Sequence, residues 1–417
     1  MNILVRAATR GLTVLFSLMV LSGLQAQQGK VPTPDADPRM DGIRELFDEL
    51  TGIASGMMDP GDESGSLTDH FDAERFVAEL RQHLRFPDEE TRESFDRELE
   101  ALQGSLAEAW VSWMVWDEYR IHDVEFGGDD TAVLVVKHWN DNLETYTHTR
   151  WWLSETDGRW MFYDFRDLDQ NLQGTLIMAH TLNGGYNAEP WLPPFVRLMA
   201  AMSQAGSLED LALDLQQFRD PAEALLEHEL PDDLRGFALV MLVSGLLQSE
   251  EQNEETAFDV LDLLDELQDL KPQCMVVHYL RGDALVILEE YDRAVESYQR
   301  YADHFGWDAD VCEATADVWF WNNEPEKAVE YAERGLADKA SAWGCLATLA
   351  AALPDDEKSR IRPHFAKLEF DEMALDYIGS WAIQLGDLDA AREIYDLLRE
   401  HHPHSDLIPD YQALLDQ

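Results

Sequence analysis

Apolar residues recur at helical spacing from Asp41 to Gly56, where Ile43, Leu46, Phe47 and Leu50 share a face, and again from Asp72 to Leu84. Asp88, behind Pro87, opens a longer helical pattern that runs through Phe95, Leu99 and Leu102 into Trp110, Trp113 and Trp116. After Asp117 the period falls to two. Tyr119, Ile121 and Val124 begin one strand, Gly127-Gly128-Asp129-Asp130 turns it, and Ala132 to Trp139 forms a second. Residues 140–143 turn again into Glu144 to Leu153, and Asp157-Gly158 is a hairpin turn leading to Arg159 to Asp167. Helices followed by a four-stranded antiparallel meander predict an α+β domain in which a curved sheet wraps the helices.

From about residue 185 the rhythm is helical to the end of the chain, and four small residues each precede an alanine by twelve positions. Gly245 stands before Ala257, Gly282 before Ala294, Ala316 before Ala328 and Gly379 before Ala391, and the first three alanines follow one another at intervals of 37 and 34 residues. A period of that size marks a repeat array, and small residues mark points where antiparallel helices cross closely. The 63 residues between Ala328 and Ala391 have room for one degenerate repeat, around Trp343 to Phe370. The expected fold is thus the α+β domain followed by an all-α solenoid of helix-turn-helix repeats. The expected division is an amino-terminal leader over 1–26, a linker over 27–39, the α+β domain over 40–170 and the helical domain over 171–417.

The lettering around the alanines reads Tyr291-Asp-Arg-Ala294-Val-Glu-Ser-Tyr298, Pro325-Glu-Lys-Ala328-Val-Glu-Tyr331-Ala332 and Gly386-Asp-Leu388-Asp-Ala-Ala391-Arg-Glu-Ile-Tyr395. Over about 240–417 this resembles the tetratricopeptide repeat family: Ala391, Tyr395 and Pro403 match its pattern, as do Ala294 and Tyr298. The chain departs from it in lacking the proline after Ala294 and Ala328 and in carrying Ala332 where an aromatic is expected. Over about 40–170 the order of elements, ending in Asp157-Gly158-Arg159-Trp160-Met161-Phe162-Tyr163-Asp164-Phe165, is similar to nuclear-transport-factor-like or ketosteroid-isomerase-like cones. The first resemblance implies binding of a protein or peptide through a helical surface. The second implies a cone that holds a small ligand or an acid/base pair, or serves as a docking module.

The amino terminus changes the picture of where the chain works. Arg6 and Arg10 precede the apolar run from Leu12 to Leu24, and Gln25-Ala26 offers a cleavage point, the arrangement of a secretory signal. A run of 13 residues is short against the roughly 20 that span a bilayer. The expectation is a cleaved signal, no integral span afterwards and a periplasmic or secreted mature chain. An uncleaved anchor is the alternative, since Leu24 is large for the third position before the cut. The 83 acidic residues against 31 basic ones give a formal charge of −52, which excludes nucleic acid and favours a neutral to basic partner. A solvated acidic surface is the bland reading of the same charge. Cys274, Cys312 and Cys345 recur at 38 and 33 residues, close to the repeat period, and read as buried apolar side chains, with one bridge and a leftover thiol as the alternative.

Candidate chemistry is sparse. If Asp157-Gly158 centres the last hairpin, Arg150 is expected opposite Tyr163 and His148 opposite Phe165. Tyr146, His148, Arg150, Tyr163 and Lys137 then share one face, with Thr145, Thr147, Thr149, Trp151, Phe162 and Asp164 on the other. His148 beside Arg150 and Tyr163 is the candidate pocket, able to move a proton if it faces a cavity and merely amphipathic if it faces solvent. Among Trp307, Trp319, Phe320, Trp321 and Trp343, core packing competes with a peptide groove, and Tyr298, Trp319 and Trp321 are the candidate partner-binding residues. Asp59-Pro-Gly-Asp62-Glu63-Ser64-Gly65 lacks the ligand alternation of a calcium loop, and His401, His402 and His404 suit a helix carboxyl end better than a metal site. No phosphate loop, nucleophile elbow or zinc motif is present, so no cofactor, metal or catalytic residue is assigned. Two functions remain, a non-enzymatic scaffold that holds a protein or peptide on the helical array, and a ligand-binding or catalytic cone with the repeats as accessory.

Overall fold

A computed structural model describes residues 37–54, 67–96, 116–128, 130–140, 145–169, 173–205, 216–249 and 253–415. The expected leader, most of the linker, the acidic Asp59–Gly65 loop and Trp110 and Trp113 lie outside them.

The sheet has the order β1 (Glu118–Phe126), β2 (Thr131–Asn140), β3 (Thr145–Thr156), β4 (Arg159–Asp167), all antiparallel. Asp157 and Gly158 both take positive φ, 53° and 80°, which a two-residue turn between right-twisted strands requires. The turn brings Thr156 opposite Arg159 and Leu153 opposite Phe162. The register then shifts by one between Trp152 and Leu153, so Trp152 faces Asp164 and Arg150 faces Arg166. The expected pairs Arg150 with Tyr163 and His148 with Phe165 are therefore corrected. Tyr163 is the extra residue of a bulge, and beyond it Asp164 lies on the face opposite Phe162 instead of sharing it.

Helix α1 (Arg39–Ala54) buries Ile43, Leu46, Phe47 and Leu50, the face its spacing predicts. Phe47 meets Trp151 edge-on at 5.4 Å between centroids. Helix α2 (Ala73–His83) is capped by Asp72, whose carboxylate accepts the Arg75 N–H at 3.0 Å and the Ser154 hydroxyl at 2.6 Å, fixing the helix start to the sheet. Helix α3 (Gly174–Tyr186) follows β4 and packs on both β4 and α2. Three more helices follow in this part of the chain, α4 (Leu192–Ala205), α5 (Gln216–Leu226) and α6 (Asp232–Gln248), then α7 (Glu254–Leu270).

The remaining helices run as pairs. They are α8 (Val276–Ile287) with α9 (Tyr291–Phe305), α10 (Ala309–Trp321) with α11 (Pro325–Asp338), and α12 (Trp343–Ala352) with a 3₁₀ turn and the short α13 (Arg362–Lys367). Then come α14 (Glu372–Leu385) with α15 (Leu388–His401), and α16 (Ile408–Leu415). The first helices of successive pairs touch, α10 on α12 and α12 on α14, as stacked repeats do. The pair at 343–367 falls where one degenerate repeat is expected, around Trp343 to Phe370, and its second helix is only the six residues Arg362–Lys367, with Pro363 in the first turn. Ala257, Ala294, Ala328 and Ala391 are all wholly buried. By compactness the chain forms two units, one containing residues 278–415 with Asn253–Ala257, the other the remaining described residues up to Val277. The boundary expected from sequence character lay at 170. Helices α3 to α6 and most of α7 group with the sheet by this criterion.

Lys358 is an internal fastening of the carboxyl-terminal unit. Only 4% exposed, its ammonium donates to the carbonyl of Ala350 at 2.8 Å, at the open end of α12, and to the carboxylate of Asp387, which caps α15 through the Ala390 N–H at 2.9 Å. Lys358→Met keeps the stem and removes the donor. We expect a loss of about 1–2 kcal/mol in urea unfolding, because the carbonyl and carboxylate lose their partner while Asp387 stays partly solvated.

Candidate functional site

The interior of the sheet domain is filled by aromatic rings. Alternation along β2 sends Ala132, Leu134, Val136 and His138 inward, opposite Leu153, Trp151, Thr149 and Thr147. His138 packs at a tilt 4.3 Å from Trp116, lies 6.2 Å from Phe47, and accepts the Trp151 indole N–H at Nε2 over 3.1 Å. Its proton therefore sits on Nδ1, which is buried and has no partner among the described residues. Burial, helped by His148, holds this imidazole down at about 3. Phe162 and Phe165 close on Trp151 at 5.3 and 5.5 Å.

The three candidate pocket residues do not meet. His148 is 2% exposed, on the outer face opposite Lys137, and its backbone N–H and Nδ1 lie 2.9 and 3.2 Å from Asp169 Oδ2. Such a pairing orients an imidazole, but a ring this enclosed offers no approach to a substrate. Arg150 is half-buried and interacts with Asp123 and Glu125 of β1, burial drawing it below its usual value. Tyr163 turns the other way, its ring 4.8 Å below the Arg75 guanidinium of α2. Within β4, Asp164 accepts from the Gln173 amide, the Thr175 hydroxyl at 2.7 Å and the Thr175 N–H at 3.2 Å, and burial raises it to about 6. This carboxylate anchors the start of α3 and is a structural group that sequence reading missed. No strand pattern distinguishes it from a solvated aspartate.

In the carboxyl-terminal unit the candidate partner residues divide. Tyr298 is 1% exposed, donates to Asp283 at 2.6 Å and fills the space over Gly282, so it supports a surface and does not form one. Trp319 and Trp321 are half-buried at the end of α10. Lys327 lies 3.7 Å over the Trp319 ring, and Phe320 joins Trp321 and Trp381 at 5.2 and 6.1 Å. Trp307 packs on Tyr331, and Trp343 on Tyr377. The three cysteines form no disulfide and are buried, with Cys274 and Cys312 pushed up to about 12 by desolvation. His401 stacks on Phe370 at 3.5 Å and His402 Nε2 donates to the Phe370 carbonyl at 2.6 Å. Among the described residues no group of three or more histidine, cysteine or carboxylate side chains could hold a metal ion.

A groove that the sequence did not single out lies in the helices grouped with the sheet. It encloses about 360 Å³ between α5, α6 and α7, lined by Arg219, Glu223, Leu242, Leu246, Asp259, Asp262, Leu263 and Glu266. Leu242 and Leu246 stand four apart on α6, and Asp259, Asp262, Leu263 and Glu266 recur at three, four and seven on α7, so each helix turns one face to it. Among the described residues no helix is long and apolar enough to cross a membrane. No protein-family model matches this chain, and no curated protein is significantly similar to it.

Proposed function

We propose that the protein is a non-enzymatic scaffold working outside the cytoplasm, whose all-α region holds a protein or peptide partner, and that this region belongs with the tetratricopeptide-like arrays. The observation that carries the reading is the run of stacked helix pairs with Trp319 and Trp321 half-exposed at the end of α10. Tryptophans set in a rigid surface are the side chains that contribute most to protein recognition. Against the alternative of a ligand-holding cone stands the close packing of Phe47, Trp116 and Trp151 around His138. The apolar run at Leu12 to Leu24 supports export.

The reading is tested with the full chain expressed in its own envelope and a photo-crosslinker placed beside α10. Replacing Trp319 and Trp321 together by alanine should lower capture of the crosslinked partner about tenfold or more, as loss of interface anchors does. Arg150→Gln with Tyr163→Phe should leave capture unchanged. His148 is left in place in this control because it is buried against Asp169. Loss of capture in the Arg150 and Tyr163 variant, with none in the tryptophan variant, would assign function to the sheet domain.

A further inference from the structure

We infer that the groove between α5, α6 and α7 seats a basic segment of a partner protein, taking an arginine or lysine side chain with its aliphatic stem on the leucines and its charge at the rim. The inference deepens the scaffold reading by naming the partner's chemistry, and it rests on that reading only for the existence of a partner.

The floor is apolar and slightly open: Leu242 and Leu246 keep 7% and 8% exposure, and Leu263 is half-buried beside them. The rim is unevenly neutralised. Glu223 is held by Arg219 at 2.8 Å, and Glu266 by Arg235 through Nε at 2.7 Å. Asp259 and Asp262 are exposed, one turn apart on α7, and neither makes a hydrogen bond or ion pair among the described residues. Two carboxylates on one helix face repel each other, and among the described residues neither is paired with a cation. Phe258, 56% exposed, stands four residues before Asp262 and so on the same side of α7, which extends the apolar surface past the rim. A long basic side chain is amphipathic in the same sense as this groove, apolar along the stem and cationic at the tip. A sheath of methylenes on leucine with a guanidinium between Asp259 and Asp262 removes apolar surface from water and relieves the paired negative charge. An anion, a neutral sugar or a plain apolar peptide would satisfy only one half of the lining. The chain's formal charge of −52 adds a long-range field that draws cations in.

The test uses the purified full chain and a short fluorescein-labelled peptide of alternating leucine and arginine, read by polarisation, with a second peptide carrying the neutral isostere citrulline for arginine. Saturable binding of the arginine peptide is expected, with the citrulline peptide at least about tenfold weaker, since a charge-assisted contact is lost. Asp259→Asn with Asp262→Asn should weaken the arginine peptide about tenfold. Asp355→Asn with Asp356→Asn removes the same charge from an exposed turn that does not line the groove and should change affinity less than about twofold, because an exposed charge outside the contact contributes little. Three results would each overturn the inference: no saturable binding, equal weakening by the two aspartate pairs, or equal affinity for the citrulline peptide. Failure here with capture still dependent on Trp319 and Trp321 would remove the groove and leave the scaffold reading standing. Peptide binding with no tryptophan-dependent capture would do the reverse.

Discussion

Gly282→Leu should destabilise the carboxyl-terminal unit by about 3 kcal/mol, at the upper end of what overpacking costs. A Cβ at position 282 would stand 2.3 Å from Tyr298 Cε1 and 2.7 Å from its Cδ1, so even alanine meets the ring. The ring has nowhere to go, because Tyr298 is 1% exposed, is held through its hydroxyl by Asp283 at 2.6 Å and packs at a tilt against Tyr279 at 5.4 Å. Relief requires α8 and α9 to part, which propagates to neighbouring pairs in a stacked array. Gly344→Ala makes an instructive comparison. Its Cβ would meet the Glu313 carboxyl at 2.0 Å, yet that group is the end of a flexible, half-buried side chain that can swing aside. Thermal unfolding should therefore fall by many degrees for Gly282→Leu and by little for Gly344→Ala. Equal shifts would refute the crossing at Gly282. Gly282→Ala combined with Tyr298→Leu should recover part of what either loses alone, the non-additivity expected of residues in contact.

Acid should act on the sheet domain through two buried groups with opposite signs. His138 is held at about 3 in the fold against 6.5 in an exposed chain. Above pH 6.5 both states keep it neutral; below 6.5 only the unfolded chain takes the proton, so stability is lost as pH falls, at up to about 1.4 kcal/mol per pH unit. Asp164 is raised to about 6 against 3.8. Between those values the folded state takes the proton first, and stability is gained as pH falls, at a similar slope. In urea titrations, His138→Gln minus wild type should grow in favour of the variant by about 3 kcal/mol from pH 6.5 to 4. Asp164→Asn minus wild type should move the other way by about 2–3 kcal/mol over the same range. The neutral-pH cost of each substitution cancels in these differences, as do the other histidines that burial depresses, such as His180 and His278. Flat differences for His138 would mean that water reaches its Nδ1.

Much of this architecture was legible because local chemistry and global packing agree. Asp157-Gly158 demanded a tight turn and made one, and alanines at repeat spacing marked crossings that are wholly buried. Periodicity found the face of α1 but could not find the bulge at Tyr163, since an extra residue in one strand is decided by what the neighbouring elements need. The turn's own centring already moves Arg150 from Tyr163 to Phe165, and the bulge carries it one residue further, to Arg166. Alternation did contain His138, which shares parity with Leu134 and Val136. What it could not tell is that Phe47 and Trp116, distant in sequence, close over that ring. The groove was readable only in halves. Spacing places Asp259 and Asp262 on one face, but their lack of a cation is a tertiary fact, set by Arg219 and Arg235 reaching Glu223 and Glu266 instead.

The allocation of lysine has a practical result for anyone labelling this molecule. The chain has seven lysines. Lys137, Lys339 and Lys358 are buried, Lys271 is tied to Asp233 at 2.7 Å, and among the described residues only Lys327 and Lys367 are open to solvent. Reagents that attack primary amines should therefore modify the native protein at few positions, and Lys327 sits over Trp319, so tagging it would disturb the surface under study. Attachment at an engineered cysteine far from α10 and from the Asp259–Asp262 groove gives probes that report on the folded molecule without altering what they measure.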